Sequence, residues 1–169
     1  MNRVLYVGFK GKNNSSGVLA ECISAEYLSA EYLLLTNSFD GLKRDIDSIG
    51  KEYDQVVMFG VDKTLTSSVR IEKTAIRDGK RNTSNLNLDK IKESLNSAGI
   101  PSVISETPTA YLCNDAYWHM LGKFSGNVVL IHIPTIKHAD EMFNEKMKSA
   151  LRIYSVYCAV GSYVNGYEW

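Results

Sequence analysis

Short runs of apolar residues, many of them β-branched, recur along the chain at the length expected for β-strands. The run Val128 to Ile131 is apolar at every position, so it is expected to be buried on both faces, as in a parallel sheet. The predicted strands are Val4 to Phe9, Tyr32 to Thr36, Gln55 to Val61, Val69 to Ile76, Ser102 to Ser105 and Asn127 to Ile133.

Longer segments with apolar residues three and four positions apart lie between most of these runs and predict helices. The predicted helices are Gly17 to Leu28, Phe39 to Tyr53, Leu88 to Ala98, Cys113 to Phe124 and Ala139 to Val160. Alternating strands and helices are typical of α/β proteins. We predict one domain over residues 1–169, a three-layer α/β/α sandwich around a mainly parallel, mixed sheet.

Ligands of such sheets usually bind outside the carboxyl ends of the strands, where loops gather. The loops expected there are Phe9 to Ser16, Gly60 to Ser68, Ser105 to Cys113 and Pro134 to Ala139. The polar stretch Arg77 to Leu88 is predicted to be a further loop. The tail Gly161 to Trp169, with its tyrosines and tryptophan, is expected either to be loose or to pack aromatic rings on a neighbour.

Composition narrows the class of protein. The 169 residues are 44% hydrophobic and carry 19 acidic and 19 basic side chains, which suits a soluble domain with a sizeable core. The balanced charge does not indicate a basic surface that could bind nucleic acid or anionic lipid, so neither nucleic acid nor a membrane is expected as a partner. The amino terminus has no small-residue cleavage site and no apolar run could span a bilayer, so we expect a cytoplasmic protein.

The three cysteines are an odd number at wide spacing, which predicts free thiols rather than disulfides or a zinc ribbon. Cys22 and Cys158 lie inside amphipathic helices, where a packing role is the simpler interpretation. Cys113 follows the turn-like segment Glu106 to Thr109 and opens a helix, so its sulfur is expected near free backbone N–H groups that lower its pKa. A buried core cysteine is the alternative for Cys113.

His132 ends the most apolar run of the chain and stands two residues before Pro134, which must end the strand. Its imidazole is expected to emerge at the functional edge of the sheet, where it could act as the base of a cysteine nucleophile. A hydrogen-bonded core histidine is the alternative. His119 is almost two turns from Cys113 along the same predicted helix, too far for a direct bond, and His138 could cap or begin the last helix.

Glu72 is a charged residue within the β-branched segment Val69 to Ala75. A carboxylate in such a place can orient an imidazole through its second ring nitrogen, the third role in a set of nucleophile, base and orienting acid. Flanked by Arg70 and Lys73, Glu72 could equally lie on a solvated strand face.

These residues stand on motifs that run through most of the chain in order. The motifs are Val7-Gly8-Phe9, Asn14 ahead of a helix, Glu72-Lys73-Thr74-Ala75, Gly99-Ile100-Pro101, Tyr111-Leu112-Cys113-Asn114 and Ile131-His132-Ile133-Pro134. In this set and order the chain resembles the pyroglutamyl peptidase I family, cysteine peptidases that remove an amino-terminal pyroglutamate.

The resemblance implies a nucleophile at Cys113, a general base and acid at His132 and an orienting carboxylate at Glu72. It implies roles for Phe9 and Asn14 in lining or bracing the acyl pocket. It also implies the same α/β/α architecture, no metal and no organic cofactor, a small peptide or amide substrate, a cytoplasmic setting and a possible homo-oligomer.

The chain also departs from the family pattern. Lys10-Gly11-Lys12 stands where the family usually has Pro-Phe-Gly, Arg77 where it has Asn, and Pro108-Thr109 where it has Ala-Gly. The short segment Arg77 to Leu88 replaces a longer family segment, so the substrate lid is expected to be trimmed. These losses fall on binding, and the predicted catalytic residues are retained.

Three functions therefore stay open. The first is a compact hydrolase for an amino-terminal pyroglutamyl or related small acyl amide. The second is a thiol amidase or transferase of different specificity, and the third is a noncatalytic binding protein on the same scaffold.

Overall fold

The structure is a computed structural model that describes residues 2–109 and 111–164, without the side chains of 156, 157 and 159–164. Its main sheet has six strands in the order β2-β1-β3-β8-β4-β7. These strands are β1 Val4–Phe9, β2 Ala30–Leu35, β3 Gln55–Val61, β4 Val69–Glu72, β7 Ser102–Ser105 and β8 Val128–Ile133. A second sheet pairs β5 Thr74–Arg77 with β6 Lys80–Thr83.

The helices are α1 Ser15–Ser24, α2 Phe39–Asp47, α3 Leu88–Ser97, α4 Leu112–Lys123 and α5 Glu141–Val164. The alternation of side chains along the strands divides the core in two. Leu5, Met58 and Leu130 face α2 and α4, whereas Tyr6 and Phe59 on the same strands face α1, α3 and α5. The sheet is thus covered on both faces, and the predicted α/β/α sandwich is confirmed.

Pairing within the main sheet is parallel except at one place, where β4 runs antiparallel to β8. The mixed sheet predicted from sequence is therefore confirmed too. Arg70 lies directly opposite His132 in the antiparallel pair, and Gly60 lies beside His132 in the parallel pair of β3 and β8. This register brings residues from three strands to one point on the α4 face.

The prediction of a loop from Arg77 to Leu88 is wrong, and so is that of one strand from Val69 to Ile76. The chain leaves the main sheet after Glu72 and forms the β5–β6 hairpin. Asp78 and Gly79 turn the hairpin with φ of 51° and 73°. Two central residues with positive φ form the tight turn whose twist suits a hairpin, and the Asp-Gly pair is its usual sequence signal.

Helix ends also differ from the predictions. α1 ends at Ser24 rather than Leu28 and α2 at Asp47 rather than Tyr53, because capping bonds at Ala25 and Ser48 close each last turn. α5 begins at Glu141, two residues later than expected. It continues to Val164, so the helix takes in the first part of the predicted tail, and residues 165–169 lie outside the described range. No described helix is both long enough and apolar enough to cross a membrane.

Candidate active site

His132 and Glu72 form a buried hydrogen-bonded pair under α4. The distance from Nδ1 of His132 to Oε1 of Glu72 is 2.8 Å, and the two residues are 3% and 1% exposed. A carboxylate only accepts hydrogen bonds, so Nδ1 of the ring carries the proton and donates it. In the neutral imidazole this leaves the lone pair on Nε2, at the other end of the ring. Glu72 is therefore not on a solvated face, and the His132 ring does not emerge at the sheet edge.

Gly60 shows what faces that second nitrogen. A Cβ placed on Gly60 would lie 3.0 Å from Sγ of Cys113 and 3.0 Å from Nε2 of His132, so these two atoms are within 6.0 Å of each other. The structure thus brings the predicted cysteine, histidine and glutamate together, in that order. The order is that of a nucleophile, its base and the group that orients the base.

Cys113 lies at the first turn of α4, partly exposed, with its side chain packed against the apolar cluster of the α2 and α4 layer. Burial, followed by the charges of Glu72 and Asp62, raises the pKa of its thiol from an ordinary 9.0 to about 11, although a hydrogen bond from the Val61 backbone lowers it. The prediction of a lowered thiol pKa is therefore wrong. A helix start favours a thiolate, but apolar packing and two carboxylates oppose it more strongly.

The start of α4 is unusual. Tyr111, which precedes it, has φ of 77° and ψ of −162°, a region that residues other than glycine rarely enter. Its ring is 84% exposed. None of the described side chains caps this end of α4, so N–H groups of the first turn are left for another acceptor. Backbone strain of this kind is often found where a nucleophile is presented.

Asn114 and Tyr117 connect the elements of the site, although no such role was predicted for them. Asn114 accepts a 2.9 Å hydrogen bond from N–H of Ile76 and donates one of 2.7 Å to the carbonyl of the same residue. It thereby ties the start of α4 to strand β5. The buried hydroxyl of Tyr117 donates to the backbone carbonyl of Glu72 at 2.9 Å. The sequence signal for Asn114 was its place beside Cys113, and Tyr117 had none beyond apolar spacing.

Phe9 and Asn14 are joined by hydrogen bonds through Ser16 at the start of α1. Oδ1 of Asn14 caps α1 by accepting from N–H of Ser16 at 3.1 Å and from its hydroxyl at 2.6 Å. Oγ of Ser16 in turn accepts from N–H of Phe9 at 3.0 Å. Phe9 is 4% exposed and belongs to the apolar cluster that Cys113 contacts. The hydroxyl of Ser15 donates to the carbonyl of Pro134, which fixes α1 to the end of β8.

The remaining candidates lie elsewhere. His119 accepts from Arg77 at 2.7 Å on the outer part of α4. Burial lowers the pKa of His119, and the Arg77 charge lowers it further. His138 lies in the turn before α5, where Asp140 rather than His138 accepts from a first-turn N–H. Cys22 and Cys158 sit in α1 and α5, and neither forms a disulfide with another described cysteine. Among the described residues no three metal-ligating side chains cluster.

The architecture has close counterparts among solved structures. Pyrrolidone carboxyl peptidase from Thermococcus litoralis superposes with a TM-score of 0.72 at 20% identity, covering 95% of this chain and 96% of that one. The enzyme from Fervidobacterium islandicum AW-1 gives 0.74 at 18% identity, covering 90% and 96%. This chain has the fold of the pyrrolidone carboxyl peptidases.

Pyroglutamyl peptidase I from Bacillus amyloliquefaciens gives a TM-score of 0.70 at 17% identity, covering 92% of this chain and 96% of the peptidase. No protein-family model matches the sequence, and no curated protein matches it. The resemblance to these peptidases is therefore confirmed in the fold, whereas the sequence has diverged widely around it.

Proposed function

We propose that this protein is a cysteine hydrolase that cleaves an amino-terminal pyroglutamyl, or related small acyl, amide bond. The observation that carries the proposal is the arrangement of three residues. Glu72 binds Nδ1 of His132 at 2.8 Å, and Nε2 of the same ring lies within 6.0 Å of the Cys113 sulfur. The fold shared with pyrrolidone carboxyl peptidases supports the same reaction class.

In the proposed mechanism the thiol of Cys113 is protonated at rest, because its pKa is raised to about 11. The lone pair on Nε2 of His132 takes the thiol proton as the sulfur attacks the substrate carbonyl. Glu72 holds the ring in the tautomer that leaves this lone pair on Nε2, and its charge stabilises the imidazolium that forms. His132 acts here as a general base and not as the partner of a resting thiolate.

The tetrahedral intermediate carries a negative oxygen, which the uncapped N–H groups at the first turn of α4 would bind. Collapse of the intermediate breaks the carbon–nitrogen bond, and the imidazolium of His132 gives its proton to the leaving amine. Water then attacks the thioester, with His132 again as base, and releases the acid and the free thiol.

Phe9 and Asn14 have supporting roles in this proposal. Asn14 braces the loop after β1 through Ser16, and so keeps the end of the Phe9 strand against α1. Phe9 belongs to the apolar cluster behind Cys113, where its ring helps to shape the acyl side of the site.

The test is release of a fluorescent amine from a pyroglutamyl amide under reducing conditions. We expect turnover by the unchanged protein, a loss of at least about a thousandfold in Cys113→Ala and in His132→Ala, and unchanged turnover in the matched controls Cys22→Ala and Cys158→Ala. Product analysis completes the test, since only an exopeptidase of this kind releases free pyroglutamate. Cleavage of other amides alone would indicate an amidase of different specificity.

One observation favours a noncatalytic binding protein instead, namely the raised pKa of Cys113. A thiol that ionises only near pH 11 is a poor nucleophile unless a base removes its proton. If the unchanged protein turns over no amide and Cys113→Ala binds pyroglutamyl peptides as well as the unchanged protein does, the scaffold serves binding and the hydrolase proposal is wrong.

A further inference from the structure

The carboxylate of Glu72 is shared between two donors. Its Oε1 accepts from Nδ1 of His132 at 2.8 Å and from Nε of Arg70 at 2.7 Å. Its Oε2 is also buried and has no hydrogen-bond partner among the described residues. One oxygen therefore carries both bonds, and the cation of Arg70 acts on the same atom that would stabilise an imidazolium at His132.

Arg70 has a second partner on its outer side. Its terminal nitrogen donates to Oδ2 of Asp62 at 2.6 Å, and Oδ1 of Asp62 accepts from N–H and the hydroxyl of Thr64 at 2.8 and 2.6 Å. The side chains of Arg70 and Asp62 are 23% and 18% exposed. A series of hydrogen bonds, His132–Glu72–Arg70–Asp62, thus connects the buried ring to the loop after β3.

The register of the sheet strands places these residues next to one another. Arg70 is paired directly opposite His132 across the antiparallel strands, and Glu72 lies two residues further along β4. Residues two apart on a strand share a face, so all three side chains point to the α4 side. A guanidinium stays protonated at any working pH, so the Glu72 carboxylate always faces the Arg70 cation.

We propose that Arg70 and Asp62 are positioning residues that set the protonation equilibrium of His132 through Glu72. This inference rests on the proposed function, because it concerns the base of that site. The charged and titratable groups around the ring are Cys113 from α4, Glu72 and Arg70 from β4, and Asp62 after β3.

Charge counting shows how the two residues oppose each other. Glu72, Arg70 and Asp62 together carry one net negative charge, so an imidazolium at His132 makes the group neutral. Without Arg70 the group would hold two negative charges and favour the imidazolium more. Without the Asp62 charge it would be neutral before His132 gains a proton and would favour the imidazolium less. Burial raises the pKa of Asp62, but hydrogen bonds from Thr64 and Arg70 outweigh it and lower the value to about 2, so this charge persists at neutral pH.

The experiment compares Arg70→Met, Asp62→Asn and the double variant. The readout is the NMR titration of histidine labelled in the imidazole ring, with the His132 signal assigned by its loss in His132→Ala. We expect the titration midpoint to rise by about one pH unit in Arg70→Met and to fall by about half a unit in Asp62→Asn. The double variant should return close to the unchanged protein, because it restores one net negative charge.

Opposite shifts are the signature that a purely structural role would not give. Shifts of the same sign, or none in either variant, would overturn the proposal. If Arg70→Met does not fold, Asp62→Asn carries the test alone, since a midpoint that stays or rises contradicts it. Lys73→Met and Glu106→Gln are matched controls, because Lys73 follows Glu72 in sequence but donates to Glu106, at 2.8 Å, rather than to Glu72.

The acidic limb of the pH profile of kcat/KM for the pyroglutamyl amide should move in the same directions. The two readouts separate the two ideas. NMR shifts as expected without turnover would leave the charge network correct and the hydrolase proposal wrong. Turnover whose pH profile and His132 titration midpoint are the same in Arg70→Met, Asp62→Asn and the unchanged protein would support the hydrolase proposal and contradict the charge network.

Discussion

The strand side of the candidate site is buried and fixed, whereas its helix side is partly open and strained. On the strand side His132 and Glu72 are 3% and 1% exposed, and a continuous chain of hydrogen bonds holds them. On the helix side Cys113 is partly exposed, and it follows Tyr111, which is 84% exposed and has φ of 77°. His132 is therefore placed by the sheet, whereas the position of Cys113 depends on where α4 begins.

This difference predicts two kinds of sensitivity. Changes on the strand side alter charge and protonation, because the groups there are already in hydrogen-bond contact in the buried interior. Changes on the helix side alter geometry, because the start of α4 has no side-chain cap and the backbone of Tyr111 before it is strained. Gly60 lies between the two sides and tests the distinction most severely.

Gly60→Ala should have the largest effect. The added methyl would lie 3.0 Å from both the Cys113 sulfur and Nε2 of His132, which is inside normal contact distance for both. The thiol and the ring would be pushed apart, and a misplacement of about 1 Å can cost about a hundredfold in rate. We expect at least that loss in kcat/KM for the pyroglutamyl amide, with about 1–3 kcal/mol lost in the free energy of unfolding.

Gly122→Ala is the matched control, since it lies on the same helix as Cys113 and a Cβ there meets nothing within 4 Å. It should keep full activity and gain about 0.5–1 kcal/mol of stability, because alanine is the better helix former. Equal activity in Gly60→Ala and Gly122→Ala would show that the thiol and imidazole do not work as a pair.

The role of Gly60 could not be predicted from the sequence. A glycine acts here through the side chain that it lacks, and the need for that space arises only when β3, β8 and α4 meet. The alternation of predicted strands and helices was enough to predict the α/β/α sandwich. Strands β1, β3 and β7 have the predicted bounds. Cys113, His132 and Glu72 stood out because their chemistry is rare in apolar surroundings. Arg70 did not, because a strand arginine beside an acid usually faces solvent.

The errors have a common physical origin. The apolar pattern does not reveal the β5–β6 hairpin, because it runs on from β4 into β5 without a break and β6 is wholly polar, so the Asp78-Gly79 turn is its one strong signal. The thiol pKa was mispredicted because a helix start is visible in sequence, whereas the burial and the two carboxylates that act on Cys113 come from elsewhere in the fold.

The pH dependence of Cys113 is the second prediction, and it tests whether the strand side acts on the helix side. Burial first, then the charges of Glu72 and Asp62, raise the thiol pKa from 9.0 to about 11. In a Cys22→Ser, Cys158→Ser background, the rate of alkylation by iodoacetamide should therefore reach half its maximum near pH 11. Since Glu72 contributes, Glu72→Gln should move this midpoint to lower pH, and Glu106→Gln, an exposed carboxylate, should not.

The sign of the linked stability follows from the same shift. A raised pKa means that the folded protein holds the thiol proton more tightly than the unfolded chain does. This contribution is complete below about pH 9 and is lost as the pH rises through about 11. The difference in the free energy of unfolding between the unchanged protein and Cys113→Ser should therefore decrease as the pH rises from about 9 to about 11. An alkylation midpoint at or below pH 9 would contradict the raised pKa, and a midpoint near or below neutral pH would mean that the thiolate forms at rest and that His132 is not needed as its base.

Asn114 gives the third and smallest predicted effect, and it tests how firmly the helix side is held. Its amide both accepts from and donates to the backbone of Ile76, at 2.9 and 2.7 Å. Asn114→Ala would leave both backbone groups without this partner, at a cost of about 1–2 kcal/mol in the free energy of unfolding. It would also loosen the first turn of α4 against β5, where the ion pair of Arg77 and Asp115 at 3.4 Å would remain, so kcat should fall by about tenfold while KM changes less.

Asn85→Ala is the control for the loss of an asparagine near α4, because Asn85 donates one exposed hydrogen bond of 2.8 Å to the carbonyl of Ser125, beyond the other end of the helix. It should cost less stability than Asn114→Ala and leave kcat unchanged. If the two variants have the same kcat, the start of α4 is held by other contacts. The direction of the Cys113 side chain would then depend on the strained backbone at Tyr111 more than on the Asn114 bonds to β5.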